Sequence, residues 1–257
     1  MTSAEIRGAY DLSADAWTGG PERLYAKLAD ALLAAAPVAL PGARVLDVGA
    51  GTGVAGRAAL RAGAASVVGV DLSAGMMHEH QGASEPVLGD AAALPFRDGS
   101  FDLVVAACCL GHLPDPDRAL RETCRVGTAI LASAFTADFT HPAKAAADAA
   151  LADAGFRTPA WYLTFKATTE RRVADPEALA ALARAAGYRT ADVWVVDVVT
   201  GLDTPAEMVA WRLGMAHVAP FVRSLPPERQ AQVRRSAEDA LVAAPPLVVP
   251  LVILAAG

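Results

Sequence analysis

The sequence predicts an α/β fold, a Rossmann-like, doubly wound sheet of seven strands, mostly parallel, elaborated by helical cap insertions. Three observations carry this. Short β-rich runs alternate with runs of helical period over the first 135 residues, the signature of a parallel sheet covered on both faces. The run FDLVVAA at 101–107 is apolar nearly throughout, as a strand buried on both faces must be. A strand at 43–48 runs straight into Gly49, Gly51 and Gly53 and then into a helical pattern, so the chain turns sharply at a strand end.

Residues 22–36 have apolar positions at helical spacing, with Gly19-Gly20-Pro21 in front and Pro37 behind. After the strand at 43–48 comes a helix at 54–62, closed by Gly63. A second strand at 66–70 ends at Asp71, and Ser73 can cap the helix that follows. A short third strand at 86–88 leads to Gly89-Asp90, the fourth is 101–107, a helix covers 116–125, and the fifth strand is 129–135. Beyond it we expect a helix at 141–154, a short strand or loop at 161–165, and a helix at 175–186 with Asp175 and Pro176 at its start. A strand at 192–199, helices at 204–222 and 227–243, and a last strand at 247–254 complete the chain. With neither a linker nor a repeat in view, all 257 residues are expected in one domain. Its cofactor-binding core would be 37–135, and 136–174 and 200–245 would be cap insertions that bind substrate.

Hydrophobic residues make up 54% and charged residues 19%, which suits a well-buried globular protein. The formal net charge is −6 and no Lys/Arg stripe appears, so nucleic acid and anionic membrane are poor partners. Cys108, Cys109 and Cys124 show neither disulfide nor metal spacing, the usage of a reduced, cytoplasmic protein. The charged N-terminus does not read as a signal peptide, and the Pro-interrupted apolar C-terminus is too short to span a bilayer. The expected partner is a small molecule, and monomer and homodimer both stay open.

Ligands of doubly wound sheets bind beyond the carboxyl ends of the strands, where strand order reverses. Two nucleotide readings compete there. Gly51-x-Gly53-x-x-Gly56, with Asp71 further on, satisfies a dinucleotide pattern and an NAD(P)-dependent oxidoreductase. The same stretch also reads Asp47-x-Gly49-x-Gly51-x-Gly53, an acidic residue leading the glycines. A carboxylate beside that loop repels a pyrophosphate at the helix N-terminus. It favours S-adenosylmethionine, which carries an ammonium and a sulfonium and no phosphate. Asp71 can accept from ribose hydroxyls under either reading. No Tyr-x-x-x-Lys or comparable hydride-transfer pair is present.

A second segment runs Gly89-Asp90-Ala91, then Leu94-Pro95-Phe96, then Asp98-Gly99-Ser100-Phe101-Asp102. With the acidic-glycine loop and the acid after strand two, it resembles the class I S-adenosylmethionine-dependent methyltransferases of the UbiE-like small-molecule branch, over roughly 44–126. Two departures stand out: Arg125-Val126-Gly127-Thr128 shortens the usual turn before strand five, and Leu110-Gly111-His112-Leu113 keeps only the second histidine of the family's stretch. The resemblance implies a last strand antiparallel to the rest. It also implies that Asp47, Gly49, Gly51 and Gly53 hold the methionine part, Asp71 the ribose, and Asp90 with the Ala91 amide the adenine, between Leu72 and Leu94. Tyr10, in a Tyr10-Asp11…Ala14…Trp17 opening common among such relatives, would lie on the cofactor side.

Methyl transfer needs alignment and exclusion of water, and a base only for a protonated acceptor. His112, beyond strand four, is the expected candidate by place and near-neutral pKa; the rival reading is a histidine that only packs or binds cofactor. His141, Trp161 and Tyr162 in the first insertion, and Trp211, Met215 and His217 on an expected helix in the second, are candidate substrate-side residues; the rival readings are a solvated helix cap for His141 and helix-to-sheet packing for the stripe at 211–217. Cys108 and Cys109 read as core. These inserts favour a small, fairly apolar acceptor, a specialised metabolite. The rival from another class is a protein that binds S-adenosylmethionine but cyclises, rearranges or merely holds its ligand, because such motifs encode cofactor binding and not turnover.

Overall fold

The sheet order in the computed structural model is β3-β2-β1-β4-β5-β7-β6, and the structure describes residues 2–80 and 85–257. The strands are β1 (Arg44–Val48), β2 (Ser66–Asp71), β3 (Glu85–Leu88), β4 (Leu103–Ala107), β5 (Ile130–Phe135), β6 (Ala191–Val199) and β7 (Val248–Ala256). From β1 the chain builds outward through β2 to β3, then returns to lay β4 on the other side of β1. The parallel register Val45↔Leu103, Leu46↔Val104, Asp47↔Val105 fixes that return. Connections leaving β1 and β4 therefore diverge, and a crevice opens above their carboxyl ends. β7 runs antiparallel to both β5 and β6, as the resemblance implied.

Alternation along the central strands sends successive side chains to opposite faces. Val45, Leu103, Val105 and Leu131 pack toward α3 (Pro21–Leu33) and α4 (Val54–Arg61), and the same layer extends over α7 (Pro142–Asp153), α11 (Pro205–Leu213) and α13 (Pro227–Asp239). Leu46, Val104, Ala106 and Ile130 face the other way, toward α6 (Pro116–Val126) and α10 (Pro176–Ala186). Caps follow the sequence: Ser73 accepts from the Met76 amide to start α5 (Ala74–His78), and Asp175 accepts from the Ala178 amide to start α10.

Several expectations change. Residues 161–165 belong to a helix, α8 (Ala160–Ala167), followed by α9 (Thr169–Ala174). The bulky run WYLTF favours a strand locally, but its rings pack against one another and against His112 and His217, so tertiary context overrides propensity. The helix expected over 204–222 is two, α11 and α12 (Ala219–Ser224), separated by a turn at 214–218. Met215 and His217 thus lie in that turn and not on a helix. Gly214 caps α11 where there is no room for a side chain: a Cβ there would stand 2.4 Å from Pro21 Cδ at the start of α3 and 2.6 Å from the Ala16 carbonyl oxygen. Ala16 belongs to α2 (Ala14–Thr18), which follows α1 (Ser3–Asp11) at the N-terminal end. Neither of those short helices was legible in the sequence.

Gly214→Ala is expected to destabilise the protein by about 1–3 kcal/mol, the usual cost of forcing a methyl into a packed contact. Chemical denaturation at constant m-value checks it.

Candidate functional site

Asp47, near the end of β1, is 1% exposed, and its Oδ2 accepts from the Gly56 amide at 2.9 Å. The loop that follows is left-handed at Gly49 (φ 69°), Gly51 (φ 54°) and Gly53 (φ 86°), where a side chain would be strained. At Gly49 a Cβ would also come within 2.6 Å of Cys109 Cβ. The Gly49 and Ala50 amides donate to the Val70 carbonyl at 2.8 and 3.1 Å. Asp71 Oδ2 accepts from the Gly51 amide and Oδ1 from the Ser73 amide, both at 2.8 Å. Asp90, after β3, accepts from the Ala92 amide at 2.8 Å through Oδ1. These three strand ends surround a cavity with about 1110 Å³ of empty space including its mouth.

Its chemistry selects the sign of its ligand. Asp47, Asp71 and Asp90 line it, and neither Lys nor Arg is among its lining residues. Burial lifts the Asp47 carboxyl to about 7 against the opposing Gly56 amide. Asp71 is raised too, by burial, although amides of Ser73, Gly51 and Leu72 oppose it. A site that already resists its own negative charges rejects a pyrophosphate and welcomes a cation. Thr52 Oγ1, buried on the cavity wall, has no hydrogen-bond partner among the described residues. The residues therefore fit S-adenosylmethionine, an ammonium and a sulfonium with polar edges, and do not fit a dinucleotide.

Of the residues expected around this ligand, Tyr10, Asp47, Gly49, Gly51, Asp71, Leu72, Asp90 and Ala91 line the cavity. Gly53 and Leu94 do not. Gly53 is the N-cap of α4, and its outer side faces the His80 ring. Leu94 is buried in the sheet layer, its amide donating to Glu122; Leu113, beside His112, lines the wall instead. Sequence reading also missed Met76 and Ile6, while Trp17, named only as part of the Tyr10 opening, lines the cavity too.

A second cavity, about 600 Å³ including its mouth, lies beyond Tyr10, Tyr25 and His112, which line both. Trp161, Tyr162, Trp211, Met215 and His217 line it as expected. The Tyr162 and His217 rings stack at 3.7 Å with an interplanar angle of 4°. His141 does not reach it. That residue caps α7 through the Ala143 amide, with its other ring nitrogen at the Pro245 carbonyl, because a histidine before Pro at a helix start is held by the free amides there. Four charged side chains that sequence reading passed over, Lys144, Lys166, Glu170 and Arg212, also face this cavity.

His112 sits in a 3-10 turn (Leu110–His112) just after β4, stacked on Phe165 at 4.2 Å and edge-on to Tyr10. Its near-neutral pKa is not kept: burial, then Lys166, pushes it down to about 4. It is a neutral imidazole at pH 7, with Nδ1 buried and unpartnered. Cys108 (φ 53°) turns the chain out of β4, and burial raises its thiol to about 11 and that of Cys109 well above the ordinary range, so neither is a nucleophile at neutral pH. Among the described residues no His/Cys/Asp/Glu group could hold a metal, and no helix is long and apolar enough to cross a membrane.

The crevice of this doubly wound sheet thus presents one acid at the end of β1, one after β2 and one after β3. Residues 46–129 match the family model described as "Methyltransferase domain". The demethylmenaquinone methyltransferase of Renibacterium salmoninarum is 36% identical over 141 residues, 54% of this chain and 57% of that protein. That of Streptomyces avermitilis is 34% identical over 142 residues, 54% and 58% of the two chains. The similarity thus spans about half the length of these curated relatives. Among solved structures, the cyclase SpnF shares the fold at a TM-score of 0.61 and 22% identity, covering 100% of this chain and 96% of its own. An S-adenosylmethionine-dependent methyltransferase from Thermotoga maritima does so at 0.56 and 16%, covering 98% of each chain. The UbiE-like resemblance read from the sequence is borne out.

Because the folded Asp47 pKa, about 7, lies above its ordinary 3.8, its contribution to stability is full below pH 4 and is lost as pH rises to 7. Asp47→Asn should match the wild type near pH 4 and exceed it by up to about 4 kcal/mol at pH 8. Urea denaturation across that range measures the difference.

Proposed function

We propose that this protein transfers a methyl group from S-adenosylmethionine, bound in the first cavity, to a small aromatic molecule of specialised metabolism held in the second. The observation that carries the reading is that the two cavities meet at Tyr10, Tyr25 and His112. An acceptor in one reaches a donor in the other only across that seam.

In this reading the loop led by Asp47 and turned by Gly49, Gly51 and Gly53 receives the methionine part, where the buried carboxylate faces an ammonium. Asp71 accepts from the Gly51 amide on one oxygen and the Ser73 amide on the other, and its remaining acceptor capacity faces the cavity, where ribose hydroxyls can donate to it. Asp90 commits only Oδ1 to its own turn, so Oδ2 and the Ala91 amide are available to the adenine edge, with Leu72 and Leu113 against its faces. When bound, the cofactor supplies an electrophilic methyl carbon on a sulfonium, with a neutral thioether as leaving group. The chain's own work is placement and desolvation. Tyr10, Trp17 and Tyr25 form a continuous aromatic wall, with ring centroids 5.8 and 4.8 Å apart, that excludes water. His112, neutral and with a free Nδ1, can orient an acceptor hydroxyl by hydrogen bond; its depressed pKa makes it a weak base.

The curated relatives are named demethylmenaquinone methyltransferases, and the aromatic walls of the second cavity suit a flat acceptor. The helices of 136–174 and 200–245 that form those walls are the substrate-selecting insertions.

Calorimetric titration with S-adenosylhomocysteine should give micromolar binding, about −8 kcal/mol. Asp71→Asn should weaken it by about 1–3 kcal/mol. Binding an ammonium requires ionised Asp47, so wild-type affinity should fall by up to about tenfold per pH unit below 7, and Asp47→Asn should abolish that slope. No binding by folded protein would overturn the reading. Tight binding without product formation across a panel of aromatic acceptors would favour a protein that holds or rearranges its ligand.

A further inference from the structure

The second cavity is aromatic by area, yet its charges do not balance. Lys144, Lys166, Glu170 and Arg212 are the charged residues lining it. Glu170 is committed to Lys166, one helical turn away. Lys144 Nζ donates to the Phe139 backbone carbonyl, a neutral partner, and lies 4.9 Å from the Phe139 ring centroid. Arg212 is 6% exposed. One of its terminal nitrogens reaches Asp148 at 2.9 Å, but the Asp148 side chain is itself 60% exposed and is not on the cavity wall. Its Nε is buried and has no hydrogen-bond partner.

A buried guanidinium N–H without an acceptor is costly in a finished core. It makes sense in a site that a ligand completes. The other titratable groups here add no counter-charge. His112 and His217 are both held neutral by burial and by the neighbouring cations, and the Tyr10, Tyr25 and Tyr162 phenols are raised by burial. Arg212 and Lys166 also crowd Lys144, which burial pushes down to about 8. Glu170, the one carboxylate on the wall among the described residues, is taken up by Lys166, which leaves Lys144 and Arg212 facing the cavity in excess of it.

The first cavity is the mirror image, with three carboxylates and neither Lys nor Arg. Resting on the reading of the second cavity as the acceptor site, we propose that the acceptor is an aromatic carboxylic acid, its ring against Phe139, Trp161 and Trp211 and its carboxylate on Arg212 Nε and Lys144. A guanidinium edge is the natural partner for a carboxylate. The arrangement gives each cavity a ligand of opposite charge, so a cationic donor and an anionic acceptor attract each other across the Tyr10–Tyr25–His112 seam and neither is drawn into the wrong site.

The test is calorimetry on the full chain saturated with S-adenosylhomocysteine, using hydroxybenzoate and hydroxynaphthoate, each against its own methyl ester. At least one carboxylate should bind at least about tenfold more tightly than its ester. Arg212→Met should erase that preference. Lys144→Met, at a half-buried position, should reduce it and keeps the test decisive if the Arg212 variant does not fold, as thermal melting would report. The proposal is overturned if no carboxylate binds at millimolar concentration, if the esters bind equally well, or if the preference survives in the folded variants. Failure of S-adenosylhomocysteine itself to bind would instead overturn the methyltransferase reading, and the same carboxylate titrations on the protein alone would still judge the anion site.

Discussion

The carboxylate of Asp71 ties together the pieces on which the crevice depends. It closes β2, receives the Gly51 amide from the loop after β1, and receives the Ser73 amide that leads into α5. Without an acceptor at that point, two amides would be buried at a strand end where no sheet partner remains. The glycines make the approach sterically open, and the Val70 carbonyl adds a backbone anchor for Gly49 and Ala50. The turn is thus held by groups that a ligand also needs, so building the fold and building the cofactor site are one act.

Around that anchor the protein segregates charge. The sheet contributes acids at the carboxyl ends of β1, β2 and β3, whereas cations enter only from the added helices α7, α8 and α11. Burial amplifies the difference: it raises the Asp47 and Asp71 carboxyls in the first cavity and lowers the Lys144 ammonium in the second. The aromatic and histidine seam between them carries no ionised group at neutral pH, which lets two oppositely charged neighbours coexist without a salt bridge short-circuiting them.

Much of the first cavity was legible in the chain. Strand ends, glycines and the acids that follow them are neighbours in sequence, and a parallel sheet brings successive strand ends to one edge whatever the detailed packing. The misses there are informative. Leu94 has the right sequence neighbourhood but the wrong side, since its backbone is drawn toward Glu122 and Arg125 on α6. Leu113 replaces it because the turn at Cys108 swings the segment after β4 back over the opening. The second cavity was half legible. Its aromatic residues advertised themselves by bulk, while Lys144, Lys166 and Arg212 carried no signal of their own, and His141 is the helix cap that was its rival reading.

By itself the sequence determined the sheet, its seven strands, the cationic preference of the loop after β1 and the resemblance that pointed to a methyl donor. The first three follow from periodicity, from glycine's access to positive φ and from the sign of charge near a strand end, which are local properties, and the last rests on the motifs around Asp47, Asp71 and Gly89-Asp90. Only the tertiary structure decided that α11 stops at Gly214 against Pro21, that residues 160–167 form a helix, and that His112 is too buried to keep a neutral-range pKa. Those outcomes depend on how deeply a group is desolvated and on what packs over it from distant parts of the chain, and neither quantity is written in the order of the residues.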